Sequence, residues 1–71
     1  MDIGTLIHVV ATIDAEIKSD REYLASKEAE SLSFEEQYAI EAVIFRYERL
    51  SEHFQGYIES MVSAMESAQG E

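Results

Sequence analysis

Apolar side chains return along the first third of the chain in steps of three and four: Ile3, Leu6, Val10, Ile13, Ile17 and Leu24. That spacing fills the a and d positions of a heptad repeat and predicts one helix over about residues 3–29. Asp20 stands at the d position where another apolar residue is expected. No proline occurs and the three glycines lie at 4, 56 and 70, so long helices are permitted.

The pattern breaks at "ESLSFEEQ", residues 30–37. Ser33 followed by Glu36 matches a capping box, in which the serine oxygen accepts a backbone N–H and the glutamate reaches back to the cap. Glu35 and Glu36 also sit where the positive end of a helix dipole favours carboxylates. A turn at about 30–33 and a second helix at about 34–68, ending in a frayed C-terminus, are expected. Along it Ile40, Val43, Tyr47, Leu50, Phe54, Tyr57, Met61, Ala64 and Ala68 continue an a/d pattern. Gly56 falls at an outward position, where it costs about 1 kcal/mol relative to alanine. A break there, giving three helices, is the alternative.

The expected fold is all-α: a single domain over residues 1–71, folded as an antiparallel hairpin of two long helices. Closing the hairpin pairs positions whose numbers total roughly 62, setting Leu24 near Tyr38, Ile17 near Phe45, Val10 near Phe54 and Glu16 across from Arg46. Two apolar surfaces are then left over. Past about residue 60 the second helix outruns the first, so Met61, Val62 and Met65 lack a partner, each worth about 1.5–3 kcal/mol if buried. The stretch "YAIEAVIFRY", residues 38–47, carries apolar groups nearly all round the helix. Both features predict a homodimer of hairpins forming a four-helix bundle, with Tyr38, Ile44, Phe45, Ile58 and Val62 as the self-association residues.

Length strengthens that expectation. A chain of 71 residues buries only about 60% of its unfolded surface and needs reinforcement. Without cysteine, neither disulfides nor a thiolate zinc site can supply it. The same absence fits a reducing, cytoplasmic location.

Fifteen acidic residues against five basic ones give a formal charge of −10, which repels nucleic acid and anionic membrane surfaces. Direct nucleic-acid binding and membrane association are therefore not expected. The apolar run from Ile3 to Ile13 is too short to span a bilayer and follows Asp2 instead of a basic segment, so it reads as part of a soluble domain.

Catalytic constellations are missing from the sequence: there is no glycine-rich phosphate loop, nucleophile elbow or cysteine nucleophile, and the serines read as helix-surface or capping residues. No enzymatic activity and no cofactor are expected. His8 and His53, with Glu52 and Asp14, suggest at most a crude metal site, because their heptad positions do not converge inward. Asp20 in an apolar seam must reach solvent or meet Arg21, Arg46 or Arg49.

Acidic patterning is the feature that speaks to function. Glu52, Glu59 and Glu66 recur every seven residues, with Glu41 and Glu48 alongside, making a negative band on the second helix. A solvated surface is the plain explanation of such a band. Against it, Glu48 and Glu52 repel at i,i+4 and Glu66 opposes the helix dipole, each costing a few tenths to about 1 kcal/mol. The expected function is a small acidic regulator or inhibitor that docks on a partner protein with a basic or mixed surface, of the accessory type carried by phages and mobile elements. Glu48, Glu52, Glu59 and Glu66 would supply charge, and Met61 and Met65 adaptable apolar anchors. The alternative is a self-association module with no external target. An antitoxin or nucleic-acid mimic ranks below both.

Overall fold

Asp2 starts the first helix. In the computed structural model, which describes residues 2–69 and side chains through Ala68, its Oδ1 accepts the Thr5 N–H at 2.7 Å while its own backbone is extended. Helix α1, Ile3–Leu24, follows. The sequence pattern carried this helix to residue 29, but it stops five residues earlier. Ala25 and Ser26 turn their N–H groups back to Arg21 and Tyr23 carbonyls, and the Ser26 hydroxyl also binds the Tyr23 carbonyl. Serine competes in this way for backbone groups at helix ends. A 3₁₀ turn, Lys27–Ser31, then buries Ala29. The link is thus residues 25–33, longer than the four-residue turn expected.

Ser33 opens helix α2, Phe34–Gln69, by accepting the Glu36 N–H on its hydroxyl at 3.1 Å. The serine half of the expected capping box is therefore in place. The helix runs through Gly56 without interruption, which removes the three-helix alternative. A β-carbon built on Gly56 would meet nothing within 4 Å, so this glycine answers no packing need within the chain.

The two helices pack antiparallel as a hairpin, a rod with extents of 59 × 17 × 16 Å. On α1 the buried and half-buried positions include Ile3, Leu6, Val10, Ile13, Ile17, Asp20 and Leu24, the row read from the sequence. On α2 the inward row is Ile40, Ile44, Tyr47, Ser51, Phe54, Ile58 and Met61. Three positions depart from the a/d reading: Ile44, Ser51 and Ile58 take the places expected for Val43, Leu50 and Tyr57, which are 41%, 42% and 53% exposed. The seam on α2 is rotated by one residue, about 100° for those positions.

Register differs too. Asp14 faces Ser51, so paired numbers total 65 instead of 62, a slip of nearly one helical turn. Across the hairpin the ion pair is Arg21–Glu48 at 2.9 Å, where Glu16–Arg46 was expected. The new register sets Ile3 level with Val62, and residues 62–68 are exposed beyond it. The core itself is thin. Leu6, Ile17, Ala29 and Ile44 are its buried apolar members among the described residues.

Candidate functional site

Four of the five expected carboxylates of the acidic band stand free of the hairpin. Glu41, Glu52, Glu59 and Glu66 are exposed on α2, and no ion pair engages them among the described residues. Glu48 is different. It is half-buried and held by Arg21, so one member of the expected charge set is spent inside the fold. Both partners remain substantially solvated, which makes this a surface-grade ion pair.

The apolar anchors divide similarly. Met65 is 52% exposed on the overhang, whereas Met61 is half-buried as the last residue of the intrachain seam. Of the residues expected to meet a second copy, Tyr38, Phe45 and Val62 are exposed. Ile44, at 7% exposure, is instead a core residue of the hairpin, and Ile58 is half-buried in the same seam. Those two placements share one cause, the one-residue rotation of α2 toward α1.

Helical geometry places the exposed rows relative to one another. Glu41 lies two positions before Val43, and Glu52, Glu59 and Glu66 lie two positions after Leu50, Tyr57 and Ala64; two residues correspond to about 200° of rotation in either direction. The acidic row and the exposed apolar row Val43, Leu50, Tyr57, Ala64 therefore sit on opposite sides of α2. A third patch lies near the start of the helix. Tyr38 and Phe45 line a shallow groove of about 270 Å³ with Ala42 and Arg46, and the Arg49 guanidinium lies 5.3 Å from the Phe45 ring centroid. Such a cation–π contact holds the arginine flat on the aromatic face.

Between the helices runs an open groove of about 530 Å³, lined by Asp14, Arg21, Glu48, Ser51 and Gln55 among others. Its floor holds a polar relay that the sequence reading missed, since the serines had been placed on helix surfaces. Ser51, 3% exposed, donates to Asp14 Oδ1 at 2.7 Å and accepts from Gln55 Nε2 at 2.9 Å. The available signal was the serine's position four residues from Tyr47 and three from Phe54, on the row that turns inward. The relay satisfies a buried hydroxyl and fixes the cross-helix register; it contains no general base paired to an accessible nucleophile.

The histidines are surface residues. His53 packs edge-on against Tyr57, with ring centroids 5.0 Å apart, and against Phe54 at 5.9 Å. His8 lends its carbonyl to the Thr12 hydroxyl. Among the described residues no group of three or more His, Cys, Asp or Glu side chains is arranged to hold a metal ion. Asp20 is half-buried in the seam, and the arginines considered for it are engaged elsewhere or exposed: Arg21 with Glu48, Arg49 over Phe45, and Arg46 in solvent. No helix among the described residues is long and apolar enough to cross a membrane.

Comparison with family models, with curated proteins and with solved structures found no match.

Proposed function

We propose that this chain is a non-catalytic protein-interaction module that acts as a homodimeric four-helix bundle and regulates or blocks a partner protein with a basic surface. The observation that carries the reading is the exposed row Glu52, Glu59 and Glu66, repeated every seven residues and free of cations among the described residues. Carboxylates left without a cation of their own offer a complementary cationic surface direct partners, which favours that surface over neutral or acidic ones. Glu41 extends the row toward the start of α2, and Met65 lies beside its far end as an apolar contact. The recognition chemistry is thus carboxylate to lysine or arginine, salt-sensitive and fast in association.

Replacing Glu52 and Glu59 by lysine tests it. The double variant, immobilised beside the unaltered protein, is expected to keep its helical circular dichroism and lose capture of partner from native lysate. Capture that survives the reversal at physiological salt rules out electrostatic docking.

A second reading, self-association without an external target, is favoured by a separate observation: the exposed apolar row on the opposite side of α2. It expects a stable dimer that captures nothing else. The acidic row then serves solubility alone.

A further inference from the structure

The row Val43, Leu50, Tyr57 and Ala64 is exposed, at 41%, 42% and 53% for its three larger members, and it joins the hairpin seam directly through half-buried Tyr47, Phe54 and Met61. We propose that a second copy of this chain lays its own α2 antiparallel on that row, Leu50 of each copy against Tyr57 of the other and Val43 against Ala64. This rests on the homodimer reading and gives it a face, a direction and a register.

Surface area identifies the occupant's size. The chain exposes 5598 Å², whereas a compact monomer of 8.1 kDa exposes about 4,500 Å². The surplus of about 1,100 Å² is what an obligate homodimer removes from each copy. The radius of gyration agrees: 16.8 Å against about 11 Å for a compact domain of this length. A second rod lying alongside the first covers that surplus surface and thickens the particle relative to its length.

Charge selects the side. Two chains of −10 repel, and they approach at least cost with their carboxylate rows turned outward. The row Val43, Leu50, Tyr57, Ala64 contains no acid and lies about 200° from Glu41, Glu52, Glu59 and Glu66. Pairing on this side leaves the acidic row of each copy open to a partner.

Register follows from the row's own symmetry. It is centred between His53 and Phe54, so an antiparallel copy brings a larger residue against a smaller one at the Val43–Ala64 step and repeats Leu50–Tyr57 on both sides of the axis. Ala39 falls against Ala68 by the same register. Residues 62–69, which outrun α1, then lie beside residues 38–45 of the other copy. A parallel pair would instead gather both overhangs at one end, away from residues 38–45 of either copy, and set Tyr57 on Tyr57.

The cysteine-free sequence makes single-cysteine cross-linking clean. Under oxidation His53→Cys, beside the two-fold axis, is expected to give a disulfide-linked dimer, because only side chains whose Cα atoms come within about 7 Å can be bridged. Val43→Cys lies about 30 Å along the helix from its own copy and is expected not to link to itself, but to link when mixed with Ala64→Cys. Leu50→Glu is expected to sediment as a monomer and Glu52→Gln as a dimer. Self-linking of Val43→Cys overturns the direction. A sedimenting dimer in which His53→Cys does not link overturns the face and register while leaving the homodimer reading intact. A monomeric unaltered chain at micromolar concentration overturns both.

Discussion

Ser51 donates its hydroxyl to Asp14 across the hairpin at 2.7 Å, joining residues 37 positions apart and holding α1 and α2 in one register. Around it the seam is apolar, and a slip of one turn would bury the hydroxyl without its acceptor. A buried polar contact of this kind specifies alignment more than it adds stability. Replacing Ser51 by alanine is expected to lower unfolding free energy by about 1.5–3 kcal/mol, as for a hydrogen bond to a charged acceptor. Chemical denaturation of Ser51→Ala, Asp14→Ala and the double variant checks this, and the two losses should fall short of additive by about 1 kcal/mol. Fully additive losses would show that the pair does not act together.

Gly56 predicts the opposite sign. Its helical backbone has no neighbour that an added methyl group would strike. Gly56→Ala is therefore expected to stabilise by up to about 1 kcal/mol, raising the thermal midpoint by about 4–8 °C. A lower midpoint would mean that another chain packs closely over Gly56.

Arg21 and Glu48 form the visible cross-helix ion pair, yet their side chains remain 58% and 42% exposed. Arg21→Ala is expected to cost less than about 1 kcal/mol, and the loss should shrink further in molar salt. Denaturation at low and high salt measures it. A loss larger than that of Ser51→Ala would place the register-setting contact here instead.

The Asp2 cap has a pH signature. The Thr5 N–H bonded to its carboxylate holds the Asp2 pKa below its ordinary value of 3.8. A depressed folded pKa means that the stabilising contribution is fully present above 3.8 and disappears as pH falls through the lower folded value. The difference in thermal midpoint between the protein and Asp2→Ala should follow that course. A difference that persists unchanged in strong acid would assign the effect to something other than the carboxylate.

Much of α1 was legible because one apolar row faces one neighbour. Leu6 to Leu24 recur with little competition on other faces, and the helix presents that row to α2. On α2 two adjacent rows compete. Val43 stands beside Ile44, Leu50 beside Ser51 and Tyr57 beside Ile58, and hydrophobicity alone favours Leu50 over Ser51. What turns the second member of each pair inward is the cross-helix register, tied at Asp14, and a relation over 37 positions leaves no trace in local periodicity. The early end of α1 was hidden for a related reason. Ala25, Lys27, Glu28 and Ala29 are good helix formers, and only the Ser26 contacts with Tyr23 break the run. At the candidate site, Glu52, Glu59 and Glu66 could be read from spacing, whereas the capture of Glu48 by Arg21 depended on the same unseen alignment.

The unbroken course of α2 has a consequence for what the acidic row can measure. Seven residues of helix advance about 10 Å, which exceeds the roughly 8 Å over which physiological salt screens exposed charges. On the proposed docking, Glu52, Glu59 and Glu66 would therefore act as graduations on a ruler, each meeting its own cation. A matching surface would have to carry its positive groups at the same pitch, so spacing would discriminate among targets of equal net charge.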